Sequence, residues 1–174
     1  MNQFKRNIAC LSARYAVRRL TQNDIDKIYK LCIGNPLYYE YCPPEVTKES
    51  IQKDMVALPP GISLSEKYYL GFFDKKNLIA VMDFIDGYPE KDVVYIGFFM
   101  TDVSVQKRGV GTDVIQHVCE AWKKMGFRAV QLAWVKGNPQ AEHFWRKNGF
   151  QGKKETSSIV VDCEICVISA EKML

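Results

Sequence analysis

The chain has 174 residues, enough for one sizeable hydrophobic core and short for two. With 47% hydrophobic and 25% charged residues it has the composition of an ordinary soluble globular domain, and no apolar run reaches the roughly 18 residues of a membrane span. The net charge of +4 is too small and too dispersed to demand a nucleic-acid partner.

In chain order, Tyr15 to Leu20 reads as a first strand. Thr21 can cap a helix from Gln22 to about Ile33, with Asp24 in its first turn and Gly34 as its stop. Asn35 to Pro44 reads as a loop. Thr47 caps a second helix to Leu58, closed by Pro59-Pro60-Gly61. Tyr68 to Phe73 and Leu78 to Ile85 form a hairpin across Asp74–Asn77. Gly87-Tyr88-Pro89 turns the chain into a dense apolar strand, Val93 to Val105. After Gln106-Lys107-Arg108-Gly109-Val110-Gly111-Thr112 comes an amphipathic helix, Asp113 to Met125. Val114, Ile115, Val118, Cys119, Trp122 and Met125 share its apolar face, and Gly126 ends it. Arg128 to Val135 is the next strand, so the unit is a parallel crossover. Asn138 caps a fourth helix with Pro139 in its first position. Two strands follow, around Ser158–Asp162 and Glu164–Ser169. The series β-α-α-β-β-β-α-β-α-β-β is α/β and reads as one domain over residues 1–174, with about four helices flanking the sheet.

Gln106–Thr112 is the most informative segment. Strand, glycine-spaced turn and helix start make an anion cradle, because glycines admit close backbone approach and the first helical N–H groups are free. A pyrophosphate suits it; a tight strand-to-helix turn is the plain alternative. No Lys follows Gly111, as a nucleotide P-loop requires. Val114 stands where a Rossmann fingerprint needs Gly or Ala.

The remaining pattern, [Gln/Arg]-x-x-Gly-x-[Gly/Ala], is met by Gln106, Gly109 and Gly111. With Asn138-Pro139-Gln140-Ala141 opening a short helix that ends at Asn148-Gly149-Phe150, it resembles the GNAT superfamily of N-acetyltransferases. The resemblance runs from about Arg14 to the C-terminus. It implies a mixed, splayed sheet and acetyl-CoA as co-substrate, held where the strands Val93–Val105 and Arg128–Val135 part. It places Gln106, Lys107, Arg108, Gly109, Val110, Gly111 and Thr112 on the pyrophosphate. The backbone of Phe99, Met100 and Thr101 would meet the pantetheine arm, and Asn138 would contact the same arm as well as cap its helix. Arg146, Lys147, Lys153 and Lys154 would meet the 3′-phosphate or simply form a solvated helix end.

Two positions depart from the family pattern. Many members carry a Tyr proton donor seven residues after the Asn; here it is Trp145, whose indole N–H does not ionise usefully and which we assign to the cofactor pocket. Many carry a Glu base eleven residues before the Gln; here it is Tyr95. Asp83 is the interior carboxylate that remains. It shares a strand face with Val81 and Ile85, where burial raises its pKa toward a usable base. Asp83 and Tyr95 are therefore the catalytic candidates, each with a purely structural alternative. His117 and His143 fall on polar helix faces and read as surface residues.

In the family, the segment between the first two helices helps form the acceptor site. Here Tyr38, Tyr39 and Glu40, with Glu45 nearby, would suit a cationic amine. Six cysteines and two histidines give no paired metal-ligand spacing, so no metal is expected. Cys119 reads as core, and Cys163 and Cys166 as members of one strand pointing to opposite faces. Ile8–Leu11 is too short for a signal-peptide core, so the expected location is the cytoplasm, with the cysteines reduced. The expected activity is acetyl transfer from acetyl-CoA to a primary amine of a small molecule, by a monomer or homodimer without nucleic-acid or membrane partners. A non-catalytic CoA or acyl-CoA sensor of the same fold is the alternative.

Overall fold

A computed structural model describes residues 7–160 and 163–174, except the side chains of Val160 and Cys163. Its centre is a seven-stranded sheet in the order β1-β2-β3-β4-β5-β7-β6. The strands are β1 (Ala16–Arg19), β2 (Lys67–Asp74), β3 (Asn77–Asp86), β4 (Val93–Thr101), β5 (Ala129–Val135), β6 (Gln151–Val160) and β7 (Cys163–Met173). All neighbours are antiparallel except β4 and β5, which are joined by the expected parallel crossover.

Helices cover both faces, as a sheet with two apolar faces requires. On one side α4 (Val110–Lys124) and α5 (Pro139–Lys147) bury Val114, Val118, Trp122 and Trp145 against Met82, Phe84, Val94 and Leu132. On the other, α1 (Ile25–Ile33), α2 (Pro36–Tyr41) and α3 (Lys48–Asp54) bring Ile28, Leu31 and Ile51 against Tyr69, Val81 and Met100. The start of α1 is pinned by Asp24. Its carboxylate accepts the Thr21 N–H at 2.9 Å and two bonds from Arg18 at 2.8 Å, which hold it well below the usual carboxylate range.

The structure corrects several boundaries. Pro36–Tyr41, expected as loop, is a short helix, because Pro36 sits at its first turn where its missing N–H costs nothing; α-helices therefore number five among the described residues. The apolar strand ends at Thr101 and not Val105, since the Asp102 carboxylate accepts the Ser104 N–H and tightens 103–105 into a 3₁₀ turn. The third predicted helix begins at Val110, three residues before Asp113, with Gly109 left-handed (φ 81°) at its N-cap. The second ends at Asp54, short of Leu58. The last two strands are much longer than expected, because they pair along their whole length, Gln151↔Glu171 to Val160↔Cys163. Val161 and Asp162, within one predicted strand, lie outside the described residues.

One irregularity positions the site. The β4–β5 ladder stops after Val93↔Ala129, Val94↔Val130 and Tyr95↔Gln131. From Ile96 to Thr101, β4 keeps its partner β3 and loses β5, while β5 continues beside β7 to Val135. This is the expected splay.

Candidate active site

Three adjoining cavities surround the splay. A groove of about 460 Å³ runs along the end of β4, the 106–112 turn and α5. Phe99, Met100, Thr101, Gln106, Lys107, Gly109, Gly111, Thr112, Asn138 and Trp145 all line it; of the residues expected there, Arg108 and Val110 do not. A small slot of about 80 Å³ lies between the parted strands, walled by Ile96, Phe98, Leu132 and Trp134. Behind it, on the α1–α3 side, opens a cavity of about 660 Å³.

The candidate anion cradle beside the groove is built by backbone. Lys107 (φ 58°) and Gly109 (φ 81°) both adopt left-handed conformations, which turn the chain sharply into α4. The N–H groups of Val110, Gly111 and Thr112 then have no carbonyl one turn back. A Cβ on Gly111 would lie 3.1 Å from the Phe144 ring, so glycine allows α5 to close the groove's wall. The Gln106 side chain faces inward instead: its amide donates to the Thr101 carbonyl (3.2 Å) and to Asn35 (2.5 Å), while Asn35 donates to Thr101 (3.1 Å) and Leu31 (3.0 Å). This network ties the cradle to β4 and to the start of α2.

Asn138 Oδ1 accepts the Ala141 N–H at 3.0 Å, the expected cap, and the residue still borders both groove and slot. Trp145 is buried, with ring centroids 6.0 Å from Phe99 and 5.1 Å from Phe150, and wedges α5 against the splay. Of the basic group near this wall, Lys147 borders the groove. Arg146 pairs with Glu142 (2.8 Å) and Lys153 with Glu171 (3.5 Å), so those two are engaged with acidic neighbours.

The large cavity holds both catalytic candidates, Asp83 and Tyr95. Asp83 shares its face with Ile85, as the alternation requires. A bulge sets its position: Asp83 pairs with Phe98 and Phe84 with Ile96, leaving Gly97 as the extra residue. A Cβ there would approach Asp83 Oδ2 to 3.1 Å, so Gly97 makes room for the carboxylate. Oδ2 accepts a 2.7 Å bond from Lys67, a lysine only 3% exposed, and Oδ1 is buried without a partner. Burial pushes the Asp83 carboxyl up to about 6 against the lowering pull of Lys67. Nothing in the sequence pattern around Lys67 announces its role, because β2 is apolar between its charged ends, Lys67 and Asp74. Tyr95 packs edge-on against Tyr88 at 5.6 Å, and burial raises its hydroxyl pKa.

Tyr38 and Tyr39 line the same cavity, but Glu40 is exposed to solvent on the short α2 and does not. The helical turn in place of the expected loop is the reason. Glu45 and Asp54 border the cavity in its place, neither with an ion-pair or hydrogen-bond partner for its side chain among the described residues. His143 is exposed, as expected. His117 is not a plain surface residue: it is half-buried and its Nδ1 is enclosed without a hydrogen-bond partner. Cys119 is core, and Cys10, Cys32, Cys42, Cys119 and Cys166 are free thiols. The Cys163 side chain lies outside the described residues. No group of His, Cys, Asp and Glu among the described residues could hold a metal, and none of the helices is long and apolar enough to cross a membrane.

A family model for the GNAT acetyltransferases matches residues 33–150, which span the cradle, the splay and the capped α5. The chain belongs to the GNAT acetyltransferase family. Its fold is shared by solved structures of low identity. An acetyltransferase from Thermus thermophilus superposes with a TM-score of 0.75 at 17% identity, covering 92% of this chain and 97% of that one. A spermidine N-acetyltransferase SpeG chimera from Vibrio cholerae and hSSAT gives 0.69 at 16% identity, with 92% and 96% covered. The paia N-acetyltransferase from Thermoplasma acidophilum, in complex with coenzyme A, gives 0.64 at 16%, with 92% and 99% covered. At these identities the likeness is one of fold. No curated protein sequence matches the chain significantly. The GNAT family uses acetyl-CoA as acetyl donor.

Replacing Lys67 by Met tests the electrostatics directly. Asp83 then loses its only cationic partner while staying desolvated, so its carboxyl should titrate above 6. A folded-state pKa raised this way gives stability that is present at low pH and lost as pH rises through it, so the cost of the variant should grow from pH 5 to pH 8. Side-chain carboxyl NMR and melting curves across that range check both statements; an unmoved titration would show that Lys67 does not govern Asp83.

Proposed function

We propose that this GNAT domain, read as one unit over residues 1–174, transfers the acetyl group of acetyl-CoA to a primary amine of a small molecule. The observation that carries this is the arrangement of the cavities: the 106–112 turn borders a groove, and the slot between β4 and β5 shares lining residues with both that groove and an acid-lined cavity. The groove is the cofactor side. The free N–H groups of Val110, Gly111 and Thr112 take the pyrophosphate, with Gln106 holding the turn in shape from behind. The unpaired edge of β4 from Phe99 to Thr101 offers backbone groups to the pantetheine amides, and Asn138 and Trp145 form the opposite wall. When bound, acetyl-CoA supplies an activated acyl group as a thioester.

The large cavity is the acceptor side. Its lining includes Glu45, Asp54 and Asp83 against a single cation, Lys67, which is already bonded to Asp83. That balance favours a positively charged amine and disfavours a phosphorylated or carboxylate-rich acceptor. Tyr38 and Tyr39 add aromatic faces. An ammonium cannot attack a thioester; it must lose a proton first. Asp83, with a pKa near 6, is ionised at neutral pH and sits in the cavity next to the bulge on β4, where it can orient the amine and take its proton. Tyr95 forms the cavity wall beside it. Free thiols at the five cysteines whose side chains are described agree with a reducing compartment, and we place the reaction in the cytoplasm.

Gly111→Glu is expected to abolish acetyl-CoA binding, because the new side chain meets Phe144 and sets a negative charge at the pyrophosphate site. Calorimetry with acetyl-CoA checks this, and wild-type affinity in the variant would move the cofactor elsewhere.

Asp83→Asn should lower turnover by about 10²–10⁴, the range of general acid–base residues. In the wild type, turnover should rise with pH through about 6 as Asp83 ionises, and this limb should be lost in the variant. Assays are normalised to folded protein, since Lys67 loses its counter-charge. A folded Asp83→Asn protein with full turnover and an unchanged profile would remove Asp83 from the mechanism.

A further inference from the structure

Trp145 leaves open how negative charge on the departing sulfur is stabilised, because its indole cannot ionise and its ring is packed between Phe99 and Phe150. The groove and the acceptor cavity meet at one side chain. Among the described residues Tyr38 alone borders both, and it borders the slot between them as well. Asp83 and Tyr95 reach only the acceptor cavity, while Asn138 and Trp145 reach only slot and groove. Amine and thioester must meet where the two spaces join, so Tyr38 stands at the point of transfer.

The Tyr38 ring is fixed there by edge-on packing against Tyr39 (5.0 Å) and Phe98 (5.7 Å). Its helix is anchored at Asn35, which bonds Thr101 and Gln106 of the cofactor side. The Cys42 N–H donates to the Tyr38 carbonyl at 3.0 Å, and Cys42 lines both slot and acceptor cavity. Backbone and ring contacts thus hold a tyrosine at the junction of groove, slot and acceptor cavity.

We propose that Tyr38 is a catalytic hydrogen-bond donor to the departing CoA sulfur. This rests on the cofactor assignment made above. The step balances without a titrating tyrosine. The amine nitrogen bonds the acetyl carbon, the carbon–sulfur bond breaks, and the electron pair leaves on sulfur while Tyr38 O–H donates to it. The proton shed by the amine, carried by Asp83, finally neutralises the thiolate. The hydroxyl is well suited to donate and not to ionise. Desolvation raises its pKa, and the neighbouring Cys42, Asp54 and Cys32 all act in the same direction. It therefore keeps its proton throughout.

The test reads the sulfur itself, without any acceptor. Bound CoA is titrated by the ultraviolet absorbance of its thiolate in wild type and in Tyr38→Phe, which keeps the ring and its packing. With the donor present, the bound thiol should ionise about one to two pH units lower than in Tyr38→Phe, the effect of one hydrogen bond to a charged group. Turnover at saturating substrates should fall roughly ten- to a hundredfold in the variant with CoA affinity retained. Should Tyr38→Phe fail to fold, fluorotyrosine placed at position 38 keeps the ring and strengthens the donor, and should lower the midpoint further. Superimposable thiol titrations in proteins that bind CoA would overturn the role of Tyr38 and leave the cofactor site standing. Absence of CoA binding in the wild type would instead overturn the cofactor assignment.

Discussion

The site depends on one broken ladder. Parallel strands β4 and β5 pair for three residues and then part, so the β4 backbone beyond Tyr95 faces a gap where a neighbour would normally be. Backbone N–H and C=O groups enclosed without partners are costly. The molecule supports this arrangement with side chains: Trp145 wedges α5 beside Phe99, Asn35 and Gln106 take the Thr101 carbonyl, and Gly97 bulges out of register. Closing the gap would satisfy the strands and remove the passage between the two larger cavities. The fold therefore holds an incomplete sheet open, and an extended ligand with amide groups can complete it as a strand would.

Charge is divided across the gap. On the groove side the fixed field is positive, from the first turn of α4. On the cavity side Glu45 and Asp54 have no ion-pair partner among the described residues, and Asp83 is held between desolvation and Lys67. A buried lysine beside a buried carboxylate would normally leave the acid strongly ionised. Here burial outweighs the pair, and Asp83 titrates near 6, within reach of neutral pH. That division of charge would suit an anionic donor on one side and a cationic acceptor on the other.

The sequence made the cradle legible because its chemistry is local: Gly109 and Gly111 at a helix start, and Asn138 with Pro139 at another, carry their geometry in residue type and spacing. The series of strands and helices and the face of Asp83 followed from periodicity. What was missed is non-local. The short α2 is held by packing of Tyr38 and Tyr39, and not by helical patterning, so the sequence groups Glu40 with them at the acceptor site whereas its side chain is exposed outside the cavity they line. Lys67 and Asp54 come from other elements and meet Asp83 only in the folded chain. The ends of β6 and β7 run past their apolar centres because each strand pairs with the other, which a single-strand pattern does not reveal.

On the proposed reading, groove and acid-lined cavity form one reaction path through the splay. Release of free CoA thiol from acetyl-CoA, measured with a panel of small primary amines, carboxylate-rich acceptors and no acceptor, tests it most directly. Thiol release should depend on a cationic primary amine and match N-acetylated product one for one. Tight acetyl-CoA binding with no amine-dependent release across the panel would contradict it and leave a CoA-binding protein without transfer.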